Sequence, residues 1–134
     1  MVFLRPGARI AALLMFVVSA VGCSKTPEAA GPEVSIHRDV DGMIRMANGK
    51  KITKPQELTQ FENSFPVGTK SVKSGDIIVL WGVKMANEDG SGATGELVAY
   101  EKKVPTEGGY VLLQDGNVKK LTPAEFEAAP KPKP

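Results

Sequence analysis

Tyr110-Val111-Leu112-Leu113-Gln114-Asp115-Gly116-Asn117-Val118-Lys119-Lys120-Leu121 is the stretch from which the fold is read. Two runs of strand-forming residues flank Asp115-Gly116, a dipeptide favoured in two-residue hairpin turns, so the segment predicts an antiparallel pair. Immediately after it, Thr122 stands as a cap, Pro123 at the first helical position and Glu125 at the third. That spacing is a capping box, and Leu121 with Phe126 has the spacing of a hydrophobic staple, so a short helix follows and Pro130 stops it.

Working back from the hairpin, Pro105 to Gly109 reads as a turn and residues 96–101 (Glu-Leu-Val-Ala-Tyr-Glu) as another strand. Before them lies a glycine-rich loop, Asn87 to Gly95. Asp76 to Val83 is the most apolar run outside the first 22 residues; its β-branched content, with Gly75 and Gly82 near its ends, predicts a central strand buried on both faces. Trp81 within it reads as core.

The segment from Val34 to Val40 alternates imperfectly and meets Asp41-Gly42, with Met43 to Met46 returning, which predicts a further hairpin ending at Asn48-Gly49. Thr53, Pro55 and Gln56 then mark a helix start, Leu58, Phe61 and Phe65 give it an apolar face, and Pro66 ends it. Asn48-Gly49 and Asp115-Gly116, each followed by a capped helix, form an internal echo that reads as common turn chemistry, with an ancient duplication as the alternative. The expected fold class is α+β: a small, mostly antiparallel sheet of four to six strands with two short helices.

Chemistry is sparse. His37 is the only histidine and Cys23 the only cysteine, so a Cys/His zinc site or an internal disulfide cannot be assembled. His37 alternates with Ile36 and is expected on the solvated face of a strand. No Gly-x-Ser-x-Gly elbow and no phosphate-binding Gly-Lys-Ser/Thr loop occurs. Asn87, Asp89, Gly90 and Glu96 match part of a calcium EF-hand loop, but Met85 stands where the first carboxylate ligand belongs and strands are expected on either side. The segment reads as a hairpin loop. No catalytic, cofactor-binding or metal residues are assigned, and the expectation is a non-enzymatic module.

The first 22 residues carry the features of an export signal: Arg5 and Arg9, the apolar run Ile10 to Val18, then Ser19-Ala20-Val21-Gly22. The nine-residue run is shorter than the roughly 20 residues that span a bilayer. Ala20-Val21-Gly22-Cys23 resembles the bacterial lipobox, in which small residues precede a lipidated cysteine, although Ala20 stands where Leu is most common. The resemblance implies that Cys23 receives a diacylglyceryl thioether and becomes the first residue of the mature chain. The rival reading is cleavage after Ala20, which leaves Cys23 a free thiol. Ser24, rather than Asp, after the cysteine points to the outer membrane, facing the periplasm.

On this reading residues 1–22 are the signal peptide, 23–33 the lipidated cysteine and a tether, 34–129 the domain and 130–134 a solvated Lys/Pro tail. Removing Arg5 and Arg9 leaves 15 basic against 15 acidic residues, a balance that gives no basic footprint for nucleic acid. The expected partners are a membrane, through the anchor, and an unidentified envelope protein or polymer.

Residues 96–126 also resemble the C-terminal region of bacterial pseudopilin-type proteins. The pieces that carry it are Val98-Ala99-Tyr100-Glu101, Gly108-Gly109 and residues 111–118, which end in Asp115-Gly116-Asn117-Val118. The resemblance implies an antiparallel sheet and, as a second functional expectation, an accessory role in a secretion or pilus-type system. A small hydrolase is the remaining alternative. An exposed patch would suit a binding module, and a deep pocket with convergent polar groups an enzyme.

Overall fold

A computed structural model describes residues 31–133. Cys23, the signal segment and most of the expected tether lie outside these residues. The chain runs through α1 (Pro32–Ala47), a 3₁₀ helix (Pro55–Phe61), α2 (Pro66–Ser74), β1 (Ile77–Val79), β2 (Leu97–Glu101), α3 (Val104–Glu107), β3 (Gly109–Leu113), β4 (Val118–Leu121) and α4 (Pro123–Ala128). The strands form one antiparallel sheet in the order β1-β2-β3-β4. The α+β class stands, with more helix than two short segments.

The largest departure from the sequence reading is α1, which replaces the hairpin expected over residues 34–46. Its buried residues are His37, Val40, Met43 and Ile44, a helical rather than a two-residue period. Pro32 opens the helix, Asp41 and Arg45 pair across one turn at 3.0 Å, and Asn48 ends it in the left-handed conformation. Asp41-Gly42, taken for a turn, lies in mid-helix. The hydrogen of Gly42 leaves space for the Phe65 ring, which a β-carbon would strike.

The next helix is a single 3₁₀ segment, capped differently from expectation. Glu57, not Gln56, reaches back, and its Oε2 accepts the N–H groups of Thr53 at 2.9 Å and Lys54 at 3.0 Å. Pro66 starts α2 instead of ending a helix. Proline at the first position and Gly75 in the left-handed conformation at the far end are both helix signals. α2 is tied to α1 by the Gly68 N–H, which donates to Asp39 at 2.9 Å.

β1 is a three-residue edge strand rather than a long central one. Beyond Leu80, whose N–H still donates to the Val98 carbonyl at 2.9 Å, the chain leaves the sheet. Trp81 is half-buried and stacks on Phe61 at 6.2 Å between ring centroids. Val83 and Met85 pack on the flank of the core, so the apolar run is spent on three surfaces instead of one strand. The expected turn at Pro105 to Gly109 overlaps the one-turn α3.

The β3–β4 hairpin is present, but its loop has three residues, Gln114 to Gly116. The Gly116 N–H donates to the Leu113 carbonyl and the Leu113 N–H to the Asn117 carbonyl, both at 2.9 Å. Only Gly116, with φ of +84°, is left-handed, and Asp115 is not, which excludes the two-residue type I′ turn. Asp115 accepts the Asn117 N–H at 2.9 Å.

The sheet is covered on both faces. Val40 and Ile44 of α1 pack against Ile77, Val98, Ala99 and Leu112. On the other face Leu97, Val111 and Leu113 meet Val104 of α3 and Phe126 of α4. An irregularity between Leu97 and Ala99 in β2 breaks the strict alternation, which is how three consecutive residues are all buried. A third cluster, Met43, Ile52, Leu58 and Phe61, fills the space under the 3₁₀ helix.

Candidate functional site

An open groove of about 1000 Å³ lies where the chain leaves β1. One wall is the Val79–Lys84 segment, and the other is residues 130–133. The floor is Ile52, Glu96 and Gln114.

Each wall has a local cause. Gln114, buried at the end of β3, accepts the Thr94 N–H and hydroxyl, each at 2.7 Å, and donates to the Lys84 carbonyl at 2.8 Å. One side chain thus pins the glycine-rich loop and the Trp81 wall to the hairpin. Opposite, the Pro130 carbonyl accepts the Leu97 N–H at 2.8 Å. Lys131 donates to the Phe126 carbonyl at 2.7 Å and lies 4.6 Å from the Phe126 ring centre, against the C-terminal end of α4. Pro130, Lys131 and Lys133 are solvent-exposed, yet Pro130 is fastened to the sheet and Lys131 to α4.

The charge of this groove is one-sided. Lys51, Lys84, Lys131 and Lys133 line it, against Glu96. Among the described residues, Lys51, Lys84 and Lys133 enter no ion pair. A recess of about 560 Å³ beside β1 and α3 differs in kind: Asp76, Glu101, Lys103 and Glu107 bring both signs to it, and Lys103 lies 3.8 Å from Glu101. Lys51, Lys84 and Lys133, with Trp81 also lining the groove, make a surface that attracts an extended anion, with apolar area for its backbone or rings.

Of the residues weighed from sequence, Asn87 and Asp89 serve their own loop. Asn87 donates to the Ser91 hydroxyl at 2.8 Å, and Asp89 accepts the Ser91 N–H at 2.8 Å, which holds its carboxyl below the usual range. No group of three or more His, Cys, Asp or Glu side chains among the described residues is arranged to hold a metal ion.

His37 is a correction. It lies fully buried under α1, not on a solvated strand face, and neither ring nitrogen has a hydrogen-bond partner. Burial pushes its pKa down, against a smaller opposing pull from the Glu101 charge. The helical period that places it inside is legible in retrospect from Val40 and Ile44, three and seven residues on. The groove itself had no local sequence signal, since its lysines come from three separate segments.

Comparison of the chain with protein-family models, with curated proteins and with solved structures gives no match.

Proposed function

We propose that this chain is a lipid-anchored cell-envelope protein acting as a non-enzymatic binding module, with the groove beside Trp81 taking an extended anionic partner. The observation that carries the binding role is the excess of lysine in this groove, where Lys51, Lys84, Lys131 and Lys133 stand against Glu96 alone beside Trp81. Support for the anchor comes from Ala20-Val21-Gly22-Cys23 following a short apolar run.

Trp81 is the only tryptophan, so its emission reports on the groove directly. Titration with poly-glutamate is expected to change that emission, with an affinity that falls as salt rises, whereas dextran leaves it unchanged. Replacing Lys51 and Lys84 together by Glu should weaken poly-glutamate binding about tenfold or more, by removing two attractive charges and adding two repulsive ones. Equal affinity in the double variant would refute the assignment of the groove.

A further inference from the structure

His37 sits one turn before Val40 and two before Ile44, on the stripe of α1 that covers the sheet. A neutral imidazole carries one N–H and one acceptor nitrogen, and here both are buried without a partner. Buried polar groups are nearly always paired, so an orphaned ring on the buried stripe of α1 calls for an explanation.

We propose that His37 is a proton-operated latch, and that protonation of its ring releases the N-terminal half of α1 from the sheet.

The surroundings hold the neutral ring and reject the charged one. β1 and β3 bring no charged side chain to this contact. β2 brings Glu101, whose Oε2 already accepts the Tyr110 N–H at 2.8 Å and lies 3.8 Å from Lys103. The lysines of α2 and β4, Lys70, Lys73, Lys119 and Lys120, are solvent-exposed, and Asp76 and Glu107 line a recess beside Ile36 without a hydrogen bond to the ring. On α1 itself Asp39 accepts the Gly68 N–H and Asp41 is committed to Arg45, and neither Glu33 nor Arg38 hydrogen-bonds the ring. Glu101 attracts the cation without forming a hydrogen bond to it, and the loss of water outweighs that attraction.

The direction of the effect follows. A released ring takes up a proton near pH 6.5, whereas the docked ring resists it, so the open form binds more protons as pH falls. Docking is at full strength above about pH 6.5 and weakens about tenfold per unit below it, until the lowered pKa of the docked ring is reached. Between pH 7.5 and 5.0 this gives an increase in opening of up to about 30-fold. Release uncovers Val98 and Leu112, an apolar strand face. His37 is the only histidine in the chain, so no other side chain with an ordinary pKa titrates in this window. The latch does not depend on the proposed anchor or groove.

Hydrogen exchange of the full chain in detergent micelles, followed by mass spectrometry from pH 7.5 to 5.0 and corrected for intrinsic rates, tests the latch. Amides of residues 34–44 are expected to open more often as pH falls, approaching 30-fold at pH 5.0, with those of residues 118–128 rising much less. His37→Met, which fills the space without titrating, should abolish the rise; His37→Gln serves if the Met variant does not fold. An undiminished rise in the folded variant, a flat profile in the wild type, or equal rises in both regions would each overturn the proposal.

Discussion

Gly116 and Gln114 occupy one three-residue loop, and each fixes something beyond it. Gly116 is left-handed at φ +84°, and a β-carbon there meets Arg45 at 3.4 Å, an ordinary contact, so the cost of Gly116→Ala is backbone strain of about 1 to 2 kcal/mol. Gly116→Asn should cost less, because Asn tolerates that conformation; urea melts of both variants check this, and equal midpoints would show the strain to be absent. Gln114→Leu removes three hydrogen bonds at once and leaves the Lys84 carbonyl and the Thr94 donors to seek water. A loss of about 1 to 3 kcal/mol is expected, together with a shift in Trp81 emission as its wall loosens. Sequence placed Asp115-Gly116 in the right turn with the wrong geometry, since dipeptide preference does not distinguish a two-residue loop from a three-residue one. It was silent on Gln114, whose partners lie 20 and 30 residues away.

Among the elements, those read correctly carry redundant local signals. α4 has cap, proline and staple in six residues: Thr122 accepts the Glu125 N–H at 3.3 Å and Glu125 the Thr122 N–H at 2.8 Å. Phe126 packs 4.8 Å from the Tyr100 ring as well as under Lys131, so Phe126→Ala should cost about 3 to 5 kcal/mol in a denaturation midpoint. An unchanged midpoint would mean that α4 is undocked. The same cap has an acid limit: Glu125 is held below its ordinary pKa by the Thr122 N–H and hydroxyl, so its contribution is present above the unfolded carboxylate range and lost as pH falls through the lowered value. Glu125→Gln, which removes the titrating carboxylate, should therefore flatten the acid limb of a melt below about pH 4.5 and leave the window of His37 untouched. α1 was misread because its polar residues fall in an order that mimics alternation, and Asp41-Gly42 carries a turn signal that tertiary packing against Phe65 overrides. α2 was missed because Pro66 is equally a terminator and an opener.

At the scale of the whole molecule, covering both sheet faces uses most of the apolar residues, and none of the helices among the described residues is long and apolar enough to cross a membrane. Membrane attachment on the proposed reading therefore falls to Cys23. From Ser24 to Gly31 eight residues separate it from α1, a reach of at most about 28 Å when extended, comparable with the roughly 24 Å length of α1 itself. One acyl chain gives only marginal binding, at roughly 0.8 kcal/mol per buried CH₂, whereas a diacylglyceryl group supplies two chains and holds stably. The mature protein purified from membranes should then have a mass equal to residues 23–134 plus the diacylglyceryl group, with or without a third acyl chain on the new amino terminus. Its sulfur should resist alkylation, and Cys23→Ser should move the protein out of the membrane fraction. A mass corresponding to cleavage after Ala20, with a thiol that alkylates readily, would replace the anchor by a free cysteine and leave the groove and the latch to act in solution.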